Sequence, residues 1–430
     1  NQCEKLCGKD RKRRCIGEGM NTFDLAQVRK NFPQLKRLIN DKPIVYLDST
    51  ATSLKPQSVI DAITGYYTNY SANVFRGIYT TSEEATFAYE KARELIATFI
   101  DATSSSEVVF TRNTSESLNM VASSFVQPRL QKGDEVVTTI IEHHSNMVPW
   151  QVVAKEKDAV LKIYDTTPEY IFDLSELPKI VTKKTKVFAI SAGSNVLGYL
   201  PPITKIIAIV KSINPNCIVV VDAAQAVAHM KINVQEWGAD FVAFSGHKML
   251  GPTGIGVLWG KKSLLDITDP YQYGGDMISV VYRDHAQYKE TPHKFEAGTP
   301  HIAGVIGLGA AVEYLSNLGM DAVRLHEKEL IGYALEEAKK LPYLHVVGPT
   351  DVEIRGGIFA FTMDGVHPHD IAQVLNENNI CVRAGNHCAM PLHAHLGVPA
   401  TARASFYVYT TKEDIDALMN GLKDIKKMFS

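Results

Sequence analysis

The chain has 430 residues, enough for one large domain and a smaller one, each around its own core. Hydrophobic residues make up 45 % of it and charged residues 21 %, an ordinary globular balance. With 45 basic against 47 acidic side chains the net charge is −2, so there is no basic footprint for nucleic acid or an acidic membrane surface, and no apolar run approaches the ~20 residues of a membrane helix.

Residues 1–19 differ from the rest, with Arg11-Lys12-Arg13-Arg14 and Cys3, Cys7 and Cys15 but few apolar side chains. They read as a disordered leader or tag, since no second CxxC or nearby His completes a zinc set. The opening residues lack the apolar stretch of a signal peptide. The remaining cysteines, Cys217, Cys381 and Cys388, are scattered, which points to reduced thiols and a cytoplasmic setting rather than a disulfide framework.

A short amphipathic helix is predicted over 25–32, within an N-terminal segment (20–40) expected to pack on the smaller domain. A strand follows at 44–48. Continuous β-branched or aromatic runs at 108–110, 135–138, 187–190, 218–221 and 241–244 suit strands buried on both faces, and helical patterns such as 86–100 lie between them. The alternation predicts an α/β fold, a mostly parallel sheet with helices on both faces, over a large domain at 41–303. After about Gly304 the texture changes to helices at 305–318 and 324–340 and a strand near 356–361. These predict a smaller α+β domain over 304–430.

Asp222 lies just past a buried strand, where open α/β sheets gather their ligands, and Gln225 follows it. Twenty-six residues on, another strand ends in Ser245-Gly246-His247-Lys248 with a glycine-rich run behind it. Alone, Asp222 reads as a helix cap and Lys248 as a loop lysine. Together they meet what pyridoxal phosphate (PLP) requires, a lysine to carry the aldehyde and a carboxylate to keep the pyridine nitrogen protonated. Thr114 and Ser115 open a helix behind Asn113, with Glu116 at capping-box spacing; this suits a phosphate, though capping alone explains it too.

Seven motifs in order carry a resemblance over residues 21–430: Tyr46-Leu47-Asp48, Glu142-His143-His144-Ser145-Asn146, Ser194-Asn195-Val196-Leu197-Gly198, Val221-Asp222-Ala223-Ala224-Gln225, Ser245-Gly246-His247-Lys248, Glu296-Ala297-Gly298-Thr299-Pro300 and Arg383-Ala384-Gly385-Asn386-His387-Cys388-Ala389. The chain resembles the class V aminotransferase-like PLP enzymes of fold type I, and among them cysteine desulfurases of the SufS type. The resemblance implies that Lys248 holds PLP and shuttles the Cα proton, Asp222 pairs with the pyridinium, Gln225 meets the ring hydroxyl and His143 stacks on the ring. It implies a phosphate site of Thr114, Ser115, Ser245 and His247. Arg76 and Thr299 would reach a neighbouring subunit's active site in a homodimer, and Asn195 and Arg403 would orient the substrate. Cys388 would take the sulfur of L-cysteine as a persulfide and release alanine, with Arg383 and His387 favouring its thiolate form. Cys217 and Cys381 lie in apolar strand patterns and read as small buried hydrophobes.

The loop around Cys388 is short, which calls for an acceptor protein that comes to it, of the zinc-containing SufU type or the SufE type, and for iron–sulfur cluster assembly as the destination. His369, in Val366-His367-Pro368-His369-Asp370, would dock on the acceptor's zinc; its plainer reading is a neighbour of a helix cap. Three residues depart from the pattern: Phe75, Tyr79 and Asn386 stand where histidines are expected. The alternatives are a selenocysteine lyase or cysteine-sulfinate desulfinase, a transaminase, and, in another class, a non-catalytic scaffold for iron–sulfur assembly. No resident metal is expected, since catalytic and surface roles account for His387, Cys388, His393 and His395.

Overall fold

The computed structural model describes residues 23–429, so the leader and its three cysteines lie outside the described residues. All five predicted runs form strands of one seven-stranded sheet. Its order is Val108–Thr111, Gly256–Gly260, Phe241–Ser245, Ile218–Asp222, Thr185–Ser191, Glu135–Thr139, Val160–Tyr164. The pairings are parallel except at Gly256–Gly260, which runs antiparallel to both neighbours. Nearly every residue of the central strands is buried, as their lack of alternation implies.

The smaller unit is a four-stranded antiparallel sheet in the order Leu344–Val347, Ile358–Met363, Thr401–Ser405, Arg383–Gly385. The helices Pro368–Asn376 and Lys412–Met428 pack on it around Ile371, Leu375, Leu418 and Leu422.

The expected boundary at 303/304 falls inside the helix Ile302–Leu318. Its Val305, Leu308, Val312 and Leu315 share the large core with Ala92 and Ile96 of the helix Thr80–Phe99. The changeover comes along the next helix, Met320–Ala338, where Val323 joins the large core and Leu330, Ile331 and Ala334 the small one. Periodicity marks a helix but not which core it serves.

The N-terminal segment touches both units, not the smaller one alone. In the helix Leu25–Lys30, Val28 enters the large core while Arg29 pairs with Asp414 of the terminal helix at 2.8 Å. Only Val45–Tyr46 of the strand expected at 44–48 forms, pairing parallel with Ile380–Cys381, and Leu47 is buried in the small core.

One buried ion pair joins the sheet to the motif at 296–300. Arg93 meets Glu296 through two bonds, Nη1–Oε1 at 2.7 Å and Nη2–Oε2 at 2.9 Å, and the Phe110 amide and Tyr89 hydroxyl also donate to Glu296. Burial works to raise the Glu296 carboxyl, but Arg93 outweighs it and holds the group below its ordinary value. Glu296→Ala removes the buried carboxylate and leaves Arg93 only the more exposed Glu90, 3.1 Å from its Nε, so it is expected to cost about 3 kcal/mol, the low end for a broken buried pair, read as a lower urea midpoint.

Candidate active site

Five strands of the large sheet deliver their C-terminal ends to one cavity of about 270 Å³. Its wall holds Thr114 and Ser115, His143, Asn195, Asp222 with Gln225, and Ser245 through Lys248. The small sheet adds Arg383, His387 and Arg403. Twelve predicted residues, spread from Thr114 to Arg403, therefore meet in one place.

The anion end is built on a close backbone approach. Asn113 caps the helix Thr114–Met120, its Oδ1 accepting the Glu116 amide at 3.0 Å. A Cβ at Gly256 would lie 2.6 Å from the Asn113 Cα, so only glycine lets the strand pass there. The Thr114 amide donates to Ser245 Oγ at 2.8 Å, the Thr114 and Ser245 hydroxyls are 2.6 Å apart, and so are those of Ser115 and Ser145. Hydroxyls and helix amides gathered at one rim suit a phosphate. Burial and the nearby Lys248 and Lys55 push His247 down to about 4, so a neutral imidazole, not a cation, lines the cavity there.

The ring end follows from Asp222 and Gln225. Asp222 is buried and accepts the Ala224 amide at 2.8 Å; burial raises its carboxyl, and the charge of Lys248 pulls it back. Burial likewise lowers Lys248, which makes the neutral, nucleophilic amine more accessible. Gln225 gives its Nε2 to the Thr50 carbonyl at 3.2 Å, while its Oε1 and the Thr50 Oγ1 are buried without a partner. A buried acceptor left open beside Asp222 fits the ring hydroxyl of PLP, and a carboxylate in this cavity fits its pyridinium. The site suits PLP at both ends. His143 is pushed down to about 3 by burial and nearby cations, and its Nδ1 accepts the Ser145 amide at 3.1 Å, which leaves a neutral ring free to stack.

Cys388 sits half-buried beside this cavity, in the link between the strand Arg383–Gly385 and the helix Met390–His395. Arg383 Nη2 donates to its Sγ at 3.9 Å. The link is tied on both sides: Asn195 Nδ2 donates to the His387 carbonyl at 2.7 Å, the His144 amide to the Cys388 carbonyl at 2.8 Å, and the Met390 amide to His144 Nε2 at 3.1 Å. His387 and Cys388 both take left-handed backbone, φ 51° and 58°, which costs on the order of 1–3 kcal/mol per residue unless the surroundings hold it.

The expectation that His387 helps charge Cys388 is corrected. His387 is buried, its Nε2 is within 3.2 Å of the Thr401 carbonyl, and burial with Arg403 nearby pushes it down to about 2. A neutral imidazole brings no positive charge, so of the two only Arg383 places a cation beside the sulfur, at 3.9 Å. Asn386 holds the link itself, its Oδ1 accepting the Cys388 amide at 3.2 Å.

Arg76 and Thr299 do not reach the cavity of their own protomer. Arg76 is exposed and paired with Asp276 at 2.5 Å, while Thr299 lines a second cavity with Tyr89, Glu296 and His301. Phe75 packs edge-on against Tyr89 and His293, and Tyr79 is exposed. His369 is exposed in the first turn of Pro368–Asn376, and the cap is His367, whose Nδ1 accepts the His369 amide at 3.2 Å. Burial raises Cys217 to about 12 and also raises Cys381, which suits inert thiols. Among the described residues no cluster of His, Cys, Asp and Glu could hold a metal.

Thr50, Ser145 and Ser191 also line the cavity without having been singled out. Ser145 carried a signal, two residues past His143 in a quoted motif. Thr50 and Ser191 carried none.

Residues 45–418 match the Aminotransferase class-V family. Over 403 residues the chain is 49 % identical to a probable cysteine desulfurase of Halalkalibacterium halodurans, covering 94 % of this chain and 98 % of that one. A probable cysteine desulfurase of Streptomyces coelicolor is 46 % identical over 412 residues, covering 95 % and 98 %. Among solved structures, the cysteine desulfurase CsdA of Escherichia coli superposes with a TM-score of 0.88 at 39 % identity, covering 95 % of this chain and all of that one.

Proposed function

Since the chain belongs to the class-V aminotransferase family and is a PLP-dependent cysteine desulfurase within it, we propose that it works as a homodimer of the SufS type, carries sulfur on Cys388 and gives it to a dedicated acceptor protein. The observation that carries this reading is Cys388 itself, a tethered thiol on Arg383 beside the cavity of Lys248 and Asp222.

Held by the phosphate cup, Gln225, Asp222 and Lys248, PLP supplies the electron sink that makes the Cα proton of an amino acid removable. The chain's own residues do the rest. Arg403 and Asn195 line the substrate end, and Arg403 has Nε without a partner and spare N–H groups for a carboxylate. Lys248, held toward its neutral form, takes the proton at Cα and returns a proton to the product. Cys388 Sγ attacks the substrate sulfur: the S–S bond forms as the substrate's Cβ–S bond breaks. L-cysteine and the thiol thus become L-alanine and a Cys388 persulfide, with no outside oxidant.

Exposed Ile78, Tyr79 and Phe87 lie near Arg76 in sequence, and an apolar face of this kind supports a dimer in which Arg76 and Thr299 complete the partner's site. The described cysteines are all free thiols, which suits a cytoplasmic setting. The tied link supports an acceptor that docks, and exposed His369 supports the zinc-containing SufU type over the SufE type, with iron–sulfur cluster assembly as the use of the sulfur.

Purified protein with L-cysteine is expected to release L-alanine, and a zinc-containing acceptor is expected to raise turnover. His369→Ala is expected to cut the ratio of turnover with and without acceptor by about tenfold, as loss of an interface anchor does. An unchanged ratio would remove His369 from the docking surface, and absence of alanine would sink the desulfurase reading itself.

A further inference from the structure

Arg383 and Arg403 are directly opposite one another on neighbouring strands of the small sheet. Like charges in that register repel, and Arg403 is only 1 % exposed, so little water screens it. The charge that answers them comes from elsewhere in the chain. Asp48 lies just after the two-residue strand Val45–Tyr46 and bridges to Ser405 on the strand that carries Arg403. Its Oδ1 accepts Arg403 Nη2 at 3.1 Å, while Nη1 of the same guanidinium donates to the Asn195 carbonyl at 2.9 Å. The guanidinium is thus held by both terminal nitrogens, one on each structural unit, and its Nε is left open. Asp48 does not line the cavity.

We propose that Asp48 is a positioning residue for substrate binding: its carboxylate fixes the Arg403 guanidinium in the plane that receives the substrate carboxylate and offsets the repulsion of Arg383. The charges around Arg403 agree. Burial lowers it to about 10, Asp48 opposes that fall, and Arg383 adds to it. Burial raises the Asp48 carboxyl in turn, and Arg403 and Arg383 both pull it back. One carboxylate thus serves the guanidinium assigned to the substrate and moderates the one assigned to the sulfur. The proposal rests on Arg403 binding the substrate carboxylate.

The test uses PLP-loaded enzyme and two readouts, steady-state kinetics with L-cysteine and calorimetric titration with the unreactive product L-alanine. Asp48→Asn keeps the shape and removes the charge. It is expected to raise KM and the L-alanine dissociation constant together by about tenfold, as loss of a charge-assisted bond does, with kcat within about threefold. Asp48→Glu, which keeps the charge, is expected to recover part of both. A merely structural role would lower the melting temperature and leave L-alanine affinity unchanged, and that result overturns the proposal. So does tighter binding in Asp48→Asn, which would make Asp48 a competitor for the guanidinium. If Asp48→Asn does not fold, Asp48→Ser, which also removes the charge, takes its place, and wild-type L-alanine affinity in it counts against a positioning role. Arg403→Gln separates the two levels: unchanged L-alanine affinity there removes the assignment of Arg403, whereas a loss there with none in Asp48→Asn removes only the role of Asp48.

Discussion

Cys388→Ser is expected to lower alanine release from L-cysteine by on the order of 10³-fold or more and to abolish persulfide labelling of the protein, while PLP content stays at the wild-type level. The oxygen of serine is a poor nucleophile toward sulfur and forms no persulfide. The change is small in volume and lies on a half-buried link whose backbone bonds do not use the side chain. Loss of activity would therefore be loss of chemistry, not of fold, and unchanged PLP absorbance checks that. Arg383 would lose the sulfur 3.9 Å from its guanidinium and gain a hydroxyl too short to fill its place. A variant as active as wild type would show that the thiol is dispensable and place the chemistry with selenocysteine lyases.

Lys248→Ala is the second large effect. Turnover is expected to fall by at least about 10⁴-fold, and borohydride treatment of the PLP-loaded protein is expected to leave no label on the 245–250 peptide. Two roles disappear together, covalent attachment and proton transfer at Cα, so an added amine is expected to restore little. The cup of Thr114, Ser115 and Ser245 and the Asp222 carboxylate remain, so PLP is expected to bind reversibly and wash out on dialysis. With the wild-type lysine, burial lowers the ammonium below its ordinary value, so the reactive neutral form grows as pH rises through that lowered value. Label found at Lys55 or elsewhere in the wild type would displace Lys248 from its role.

Much of this was legible in the chain because buried parallel strands are written as unbroken β-branched runs and ligands gather at their C-terminal ends. Asp222 and Lys248 could be placed by that rule before any contact was known. What was not legible depends on long-range register. Nothing local tells that Arg383 and Arg403 sit opposite one another, or that Asp48 travels 355 positions to meet Arg403. His387 follows the same rule: adjacency to Cys388 suggests a charge, while its burial beside Thr401 and Arg403 pushes the imidazole down and favours the neutral ring. The strand Gly256–Gly260 inserts antiparallel into an otherwise parallel sheet, and its Val257, Leu258 and Trp259 look like any other apolar run.

The tether of Cys388 has a consequence for throughput. If Cys388 hands its sulfur to an acceptor as proposed above, a sulfur that cannot swing outward has to wait for a visitor, so the rate of unloading would scale with how much acceptor is present and how often it arrives. Until one did, the loaded enzyme would turn over only at the slower rate expected of it without acceptor. On that reading the four ties on residues 386–390 would act as a governor, matching the breakdown of cysteine to demand and keeping reactive sulfur out of solution when demand is low.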